Sequence, residues 1–250
     1  MNPSTPVLSP PYTTPTHVLE HFKQRGFVAL NAASVRQCVG CDAAELARVA
    51  AFWNDLPPDQ YLKDGGHYRR RRHSSWVADA EEVIQVSHRA HWQPLSYNAL
   101  HGGMKRWFEP LDPQLAQSAA LERILKCLVH WADLLRGPRF WFIEVHAFRI
   151  DTADGIGRPT PEGAHRDGVD LVAVFMLQRH QIKGGESRVF EANGPHGQRF
   201  TLNEPWSMLL LDDHKVIHES TPIQPESANE LGWRDTLVIT LRTEGFLEAP

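Results

Sequence analysis

The 250-residue chain reads as mainly β with flanking helices. Two observations carry that reading. Apolar residues at helical spacing occur only before Gly137, and after it come short runs rich in Val, Ile, Phe and Leu, separated by turn residues. Helices followed by a β-rich half predict helices packed on one face of a double sheet, within one domain. Hydrophobic residues make up 42% and charged residues 22%, which is enough apolar material to bury one large core.

Five prolines, Pro3, Pro6, Pro10, Pro11 and Pro15, fall in the first 15 residues and predict a flexible arm there, with residues 16–250 forming the folded domain. Thr16 to Arg25 reads as a helix ended by Gly26, and Phe27 to Leu30 as a short strand. Asp42 and Glu45 form the capping-box pattern of a helix whose apolar face is Leu46, Val49, Ala50 and Trp53. Pro57-Pro58 stops it. A long helix is predicted from Asp112-Pro113, with Leu121, Ile124, Leu125, Leu128, Ala132 and Leu135 as its buried stripe and Gly137-Pro138 as its end. Strands follow at Phe140 to Ile150, Leu171 to Leu177, Ser187 to Glu191, Trp206 to Leu211 and Thr236 to Leu241. Asp154-Gly155, Gly184-Gly185 and Asn193-Gly194-Pro195 turn the chain between them. Trp53, Trp107, Trp131, Trp141 and Trp206 are read as core.

Charge and cysteine content narrow the function. With 30 acidic and 26 basic residues the net charge is −4, which argues against a nucleic-acid or membrane partner. Three cysteines are too few for a disulfide scaffold. Cys38 and Cys41 lack the second pair that a zinc ribbon needs and are read as reduced thiols. No apolar run reaches the ~20 residues of a membrane span. The N-terminus shows no signal-peptide pattern, so the expected location is cytoplasmic.

The 14 histidines direct attention to metal chemistry. His165-Arg166-Asp167 places two ligand types at i and i+2, which on extended backbone point the same way. His218, from a distant strand, supplies a third. Two histidines and one carboxylate on one triangular face leave octahedral positions open, the arrangement of non-haem Fe(II) oxygenases. The plain alternative is a surface turn pair and an unrelated core histidine. Arg234 and Thr236, again i and i+2, open the last apolar strand. A buried guanidinium with a neighbouring hydroxyl suits a carboxylate.

The order H-x-D, distal His, Arg-x-Thr resembles the double-stranded β-helix (jelly-roll) oxygenases that use 2-oxoglutarate. The segments 161–168 (PEGAHRDG) and 184–187 (GGES), Leu211-Asp212-Asp213 with Val216 and His218, Thr221-Pro222-Ile223 and Arg234-Asp235 look like one bacterial branch of that group. This branch contains free L-amino-acid hydroxylases of the L-isoleucine type and a biofilm- and stress-associated homologue. The likeness is dense from about residue 159 to 242. It implies a jelly-roll core with helices packed on one sheet. It also implies His165, Asp167 and His218 as Fe(II) ligands, Arg234 aided by Thr236 as the 2-oxoglutarate anchor, and O2 as co-substrate. The implied reaction is hydroxylation or sulfoxidation of a free L-amino acid or small derivative, with release of succinate and CO2. Two other readings stay open: a cupin-like metal enzyme that does not use 2-oxoglutarate, and a non-catalytic jelly-roll protein.

Three features lie outside the motif set. Arg69 to Arg72 reads either as a solvated run or as a source of substrate-carboxylate ligands at a pocket mouth. His146 reads either as a packed strand histidine or, if inward, as a pocket-lining one, and His88, His91, His101 and His130 have no ligand-like spacing. Asp212-Asp213 is expected to turn the backbone or to support a ligand from behind.

Overall fold

The computed structural model describes residues 8–249. Five α-helices lie in its first part: α1 (Val18–Arg25), α2 (Ala32–Val39), α3 (Ala43–Ala50), α4 (Pro113–Ala116) and α5 (Ala119–Arg136). The strands are β1 (Phe27–Leu30), β2 (Arg69–Ala78), β3 (Val83–Gln85), β4 (Trp141–Asp151), β5 (Leu171–His180), β6 (Ile182–Gly184), β7 (Ser187–Glu191), β8 (Gly197–Phe200), β9 (Ser207–Asp212), β10 (Val216–Ser220), β11 (Ile223–Pro225) and β12 (Trp233–Arg242). A seven-stranded sheet runs in the order β1-β9-β5-β12-β4-β2-β3, and every neighbouring pair in it is antiparallel. A three-stranded sheet, β10-β7-β8, and a two-stranded one, β11-β6, complete the β structure.

Strand alternation splits the large sheet into two chemically different faces. Ile143 and Val145 of β4, Leu171 and Phe175 of β5 and Leu237, Ile239 and Leu241 of β12 meet Phe22, Val35, Leu46, Ile124, Leu125 and Leu128 of the helices in the main core. Burying each such side chain contributes about 1.5–3 kcal/mol. On the opposite face, Val172, Met176, Leu209 and Leu211 pack on Val189, Phe200 and Val216 of the smaller sheet. The helices therefore cover one face of the large sheet, and the smaller sheet covers part of the other.

Most element signals operate as the sequence implies. Gly26 takes φ 74° and ends α1 with its N–H on the Phe22 carbonyl. Asp42 and Glu45 form both bonds of the capping box. Elsewhere the structure departs from the sequence reading. The long helix predicted from Asp112 is two helices: Asp112 caps the four-residue α4, the chain extends at Ser118, and the Ser118 hydroxyl caps α5 by accepting from Leu121 N. β2 replaces a segment read as a charged run. The predicted arm over residues 1–15 lies partly outside the described residues. Its described part is tied down: Leu8 accepts from Thr201 N, and Thr13 N donates to the Ala29 carbonyl. Of the five tryptophans read as core, Trp107 is 55% exposed while the other four are buried.

Trp53 joins the helical layer to the sheet. β12 shifts register against β5 at Asp235/Thr236. The Trp53 indole N–H is shared by the carbonyls of Phe148 and Thr236, at 3.0 and 3.2 Å. Trp53→Phe leaves both carbonyls without that donor, and its expected cost is about 1–3 kcal/mol. The check is the urea midpoint, which should fall with an unchanged m-value.

Candidate functional site

A cavity opens between the large sheet and the smaller strands, on the face away from the helices. His165 and Asp167 sit in the loop between β4 and β5, and His218 is the central residue of β10. An isolated two-residue bridge joins them: His165 N donates to His218 O and His218 N to His165 O, both at 3.0 Å. The loop is thus fastened to the strand at the positions whose side chains meet. His165 Nε2 lies 3.7 Å from Asp167 Oδ1, and His218 Nε2 lies 3.6 Å from Asp167 Oδ2. One ligand-type atom from each of the three lies within 4.8 Å of the others.

The surrounding groups orient this set for a cation. His165 Nδ1 is 3.0 Å from the Gly163 carbonyl, which fixes its proton there and turns Nε2 inward. Burial opposes charge on His165, but the hydrogen bond and charge of Asp167 and the nearby Glu162 push its pKa up to about 10. Burial likewise works against the Asp167 carboxylate, yet His165 holds it well below the usual range. Burial and the charge of His165 push His218 down to about 4, so it stays neutral. One carboxylate, one neutral imidazole and one imidazole whose proton a cation would displace make a donor set that fits a hard-to-borderline divalent metal.

Asp213 supports the ligand loop from behind, as the sequence reading expected of the Asp212-Asp213 pair. Its carboxylate accepts from the backbone N–H groups of Asp167, Gly168 and Val169 at 3.0, 2.7 and 3.1 Å. Arg166 Nε donates to its carbonyl at 2.7 Å. Burial and the charge of Asp167 raise the Asp213 pKa to about 6. Asp212 is tied by an ion pair to Arg136 at the end of α5, 2.7 Å away.

Arg234 and Thr236 of β12 both face the cavity, so the shared-face expectation holds. Arg234 is buried, and its Nε has no partner among the described residues. Burial and the neighbouring Arg179 push it down to about 9. Gly185, at φ +67°, lets the backbone pass beside this pair: a Cβ there would lie 2.9 Å from Arg179 Nη1 and 3.6 Å from Arg234 Cδ. A buried guanidinium so placed can receive a carboxylate. The segment 230–232 between β11 and β12 is loop, as expected.

The structure selects among Arg69 to Arg72, which the sequence offered as ligands at a pocket mouth, and adds residues that the sequence did not single out. Arg69 and Arg71 of β2 point into the cavity, while Arg70 and Arg72 are half-exposed on the other side. Arg69 pairs with Asp59 at 2.6 Å. His146 is buried and also lines the cavity, where Arg71 Nη2 donates to its Nδ1 at 3.0 Å. His91, read as incidental, donates through Nδ1 to Glu144 Oε1 at 3.0 Å, and His73 donates through Nε2 to the same oxygen at 2.9 Å. Gln93 links this group to the triad: its Nε2 donates to Asp167 Oδ1 at 3.3 Å and its Oε1 accepts from Arg106 Nη2 at 3.0 Å. The alternation of β2 was the available signal. By itself it separates Arg69 and Arg71 from Arg70 and Arg72 without telling which pair faces a polar cavity, which is why the sequence reading left the choice among the four open.

Removing the Asp213 carboxylate should loosen the ligand loop without a change of fold. Hydrogen bonds to a charged acceptor contribute about 1.5–3 kcal/mol each. Amide hydrogen exchange at Asp167, Gly168 and Val169 is therefore expected to quicken by about 10–100-fold in Asp213→Ala. Mass-resolved exchange on the folded variant checks this.

Residues 50–240 match the family model for 2OG-Fe dioxygenase. A crystal structure of a bsmA homolog from Methylobium petroleophilum PM1 is 47% identical, with a TM-score of 0.91 over 96% of this chain and 97% of that one. IDO from Bacillus thuringiensis superposes with a TM-score of 0.75 at 18% identity, over 92% of this chain and 100% of that one. The Fe(II)/α-ketoglutarate-dependent dioxygenase TqaL superposes at 0.67 with 17% identity, over 91% of this chain and 86% of that one. No curated protein matches the chain by sequence. The fold is that of the jelly-roll oxygenases, and the match over most of the chain is decisive: the protein belongs to the 2OG-Fe dioxygenase family, whose members use Fe(II), 2-oxoglutarate and O2.

Proposed function

We propose that the protein hydroxylates, or on a thioether sulfoxidises, a free L-amino acid or small derivative. In this reading His165, Asp167 and His218 hold Fe(II), and Arg234 with Thr236 holds the far carboxylate of 2-oxoglutarate. The observation that carries it is the placement of a three-ligand face and an unpaired buried guanidinium in one cavity. When bound, iron and 2-oxoglutarate supply the oxidising power, with O2 as oxidant and succinate and CO2 as co-products. The chain's own residues do the rest. His165, Asp167 and His218 fill one face and leave the other positions free for ligands. Arg234 fixes the orientation of the co-substrate by its charge. The apolar stretch of wall, including Phe148, Val174 and Val238, keeps water away from the reacting position and suits an aliphatic or thioether side chain.

The motif likeness to the free amino-acid hydroxylase branch, spanning residues 159–242, supports the substrate class. A cupin-like enzyme that makes no use of 2-oxoglutarate would have no role for Arg234. No helix of the described residues is long and apolar enough to cross a membrane, and Cys38, Cys41 and Cys127 are free thiols, which suits a reducing cytoplasm.

Succinate formation with Fe(II), 2-oxoglutarate and a panel of amino acids tests the reaction. Stimulation by at least one amino acid is expected, and failure of the Fe(II)-loaded protein to bind 2-oxoglutarate would falsify the assignment. His165→Ala and Asp167→Ala should abolish turnover. Arg234→Ala should weaken 2-oxoglutarate binding by on the order of 100-fold while Fe(II) binding persists, because a buried carboxylate–guanidinium contact is lost. Titration of the anaerobic Fe(II) complex with 2-oxoglutarate, followed by its charge-transfer absorption, reads that change.

A further inference from the structure

The cavity wall formed by β2, β4 and the segment between β3 and α4 is as densely charged as the triad, yet neither iron nor 2-oxoglutarate, as assigned above, uses it. Two of its guanidinium groups lack an acidic partner. Arg71 is 4% exposed and Arg106 2% exposed, both line the cavity, and neither forms an ion pair among the described residues. Their Nε–H groups have no acceptor. Phe108 and Phe148 sandwich the Arg71 guanidinium, with centroids 3.9 and 4.5 Å away, and hold it in place without neutralising it. Arg106 is held by Gln93 Oε1. Asp59 and Glu144 act on both only at a distance, and burying cations without a contacting anion is costly unless a ligand supplies one.

Glu144 has the opposite chemistry on the same wall. His73 and His91 both donate to its Oε1, which fixes the carboxylate plane. Its Oε2 accepts no hydrogen bond among the described residues, and the side chain borders the cavity. Burial disfavours the ionised form, but the two imidazole donors hold Glu144 well below the usual carboxylate range. Burial keeps His73 and His146 neutral and brings His91 down to about 4. The wall therefore offers fixed positive groups beside one fixed negative oxygen.

A metal is the other reading of this group. His73, His91, Glu144 and His146 have the donor count of a zinc site and sit within 4.8 Å of one another. Three things oppose it. Arg71 donates to His146, two imidazole N–H groups are already spent on Glu144, and the Arg71 and Arg106 guanidinium groups raise the potential that a further cation would meet.

We propose that Arg71 and Arg106 bind the α-carboxylate of the substrate and Glu144 Oε2 its α-ammonium, so that the enzyme takes only amino acids with both groups unblocked. This rests on the reading of the protein as an amino-acid oxygenase. His73 and His91 are positioning residues that aim Glu144. The receptor shares a sheet face with Arg234, on β2 and β4 beside β12, and is tied to Asp167 through Gln93.

The test uses the anaerobic full-length protein loaded with Fe(II) and 2-oxoglutarate. The charge-transfer absorption first reports 2-oxoglutarate affinity, and its failure to appear would count against the oxygenase reading itself. The twenty standard L-amino acids are then titrated by calorimetry. At least one should bind, and its N-acetyl and methyl-ester derivatives should bind about 100-fold more weakly. Those two arms need no variant. Glu144→Gln, nearly isosteric, should weaken the amino acid about 30-fold or more yet leave its deamino carboxylic acid unaffected. Arg71→Met should weaken both, with 2-oxoglutarate affinity unchanged within about threefold.

Several results would overturn the proposal. They are binding by none of the twenty, equal affinity for the N-acetyl derivative, equal loss of amino acid and deamino acid in Glu144→Gln, and a loss carried by Glu162→Gln in place of Glu144→Gln. Loss of 2-oxoglutarate binding in Arg71→Met would also overturn it. So would a second bound metal equivalent that disappears in Glu144→Gln.

Discussion

The pair of backbone hydrogen bonds exchanged by His165 and His218 is the contact on which the site depends. No regular sheet pairing reaches the segment 152–170; Gly157 bridges Ile223 and Thr160 bonds Ser220 further up the loop, but it is the His165–His218 rung that sets the ligand positions against β10. With it, the loop becomes one more rung beside β10, and the two imidazoles meet with ring centroids 4.8 Å apart. Asp213 then fixes the direction in which the loop leaves that rung, by collecting three consecutive amides on one carboxylate. Geometry of the His165, Asp167 and His218 group is thus set by backbone pairing and by a buried acid.

The rest of the fold places charge around that rung. A sheet with one face on helices and one on a cavity can carry arginine, glutamate and histidine on alternate positions without disturbing its core. β2, β4 and β12 all do so. Their inward residues include Arg71, Glu144, His146 and Arg234, and their outward neighbours include Trp76, Ile143, Val145 and Leu237. The cost of burying those ionic groups is offset by mutual hydrogen bonds where partners exist, as in Asp59–Arg69 and Glu144 with its two histidines. Where partners do not exist, at Arg71, Arg106 and Arg234, the uncompensated charge is what a small carboxylate would complement. Stability and ligand recognition therefore pull on the same residues.

The triad candidates could be read along the chain because they rest on local spacing, while the family and its jelly-roll core followed from the likeness of those motifs to known oxygenases. H-x-D puts two side chains on one side of an extended segment whatever surrounds it. Arg234 and Thr236 share a face of β12 by the same period of two. The capping box at Asp42 and the glycine stop at Gly26 are equally local, involving groups within four residues of each other. The break between α4 and α5 was less legible, since Ser118 inside an apolar stripe is tolerated in a helix and its capping role shows only once the chain extends there.

Tertiary structure alone decided what the remaining charges do. Arg69 to Arg72 form a strand because β4 lies beside them in register, with Arg71 opposite Phe148 and His73 opposite His146. Nothing within the run distinguishes Arg71, which faces the cavity, from Arg72, which is bound to Glu109 near the surface. Glu144 and His146 are two apart on β4, but His73 comes from β2 and His91 from the segment after β3, so no spacing along the chain relates the four. The sequence by itself determined which residue types stand in ligand-like pairs, because side-chain direction over two residues is a property of the backbone. Which distant charges share one buried volume was decided only by the folding of the sheet, because burial and electrostatic complementarity depend on every strand that closes the cavity.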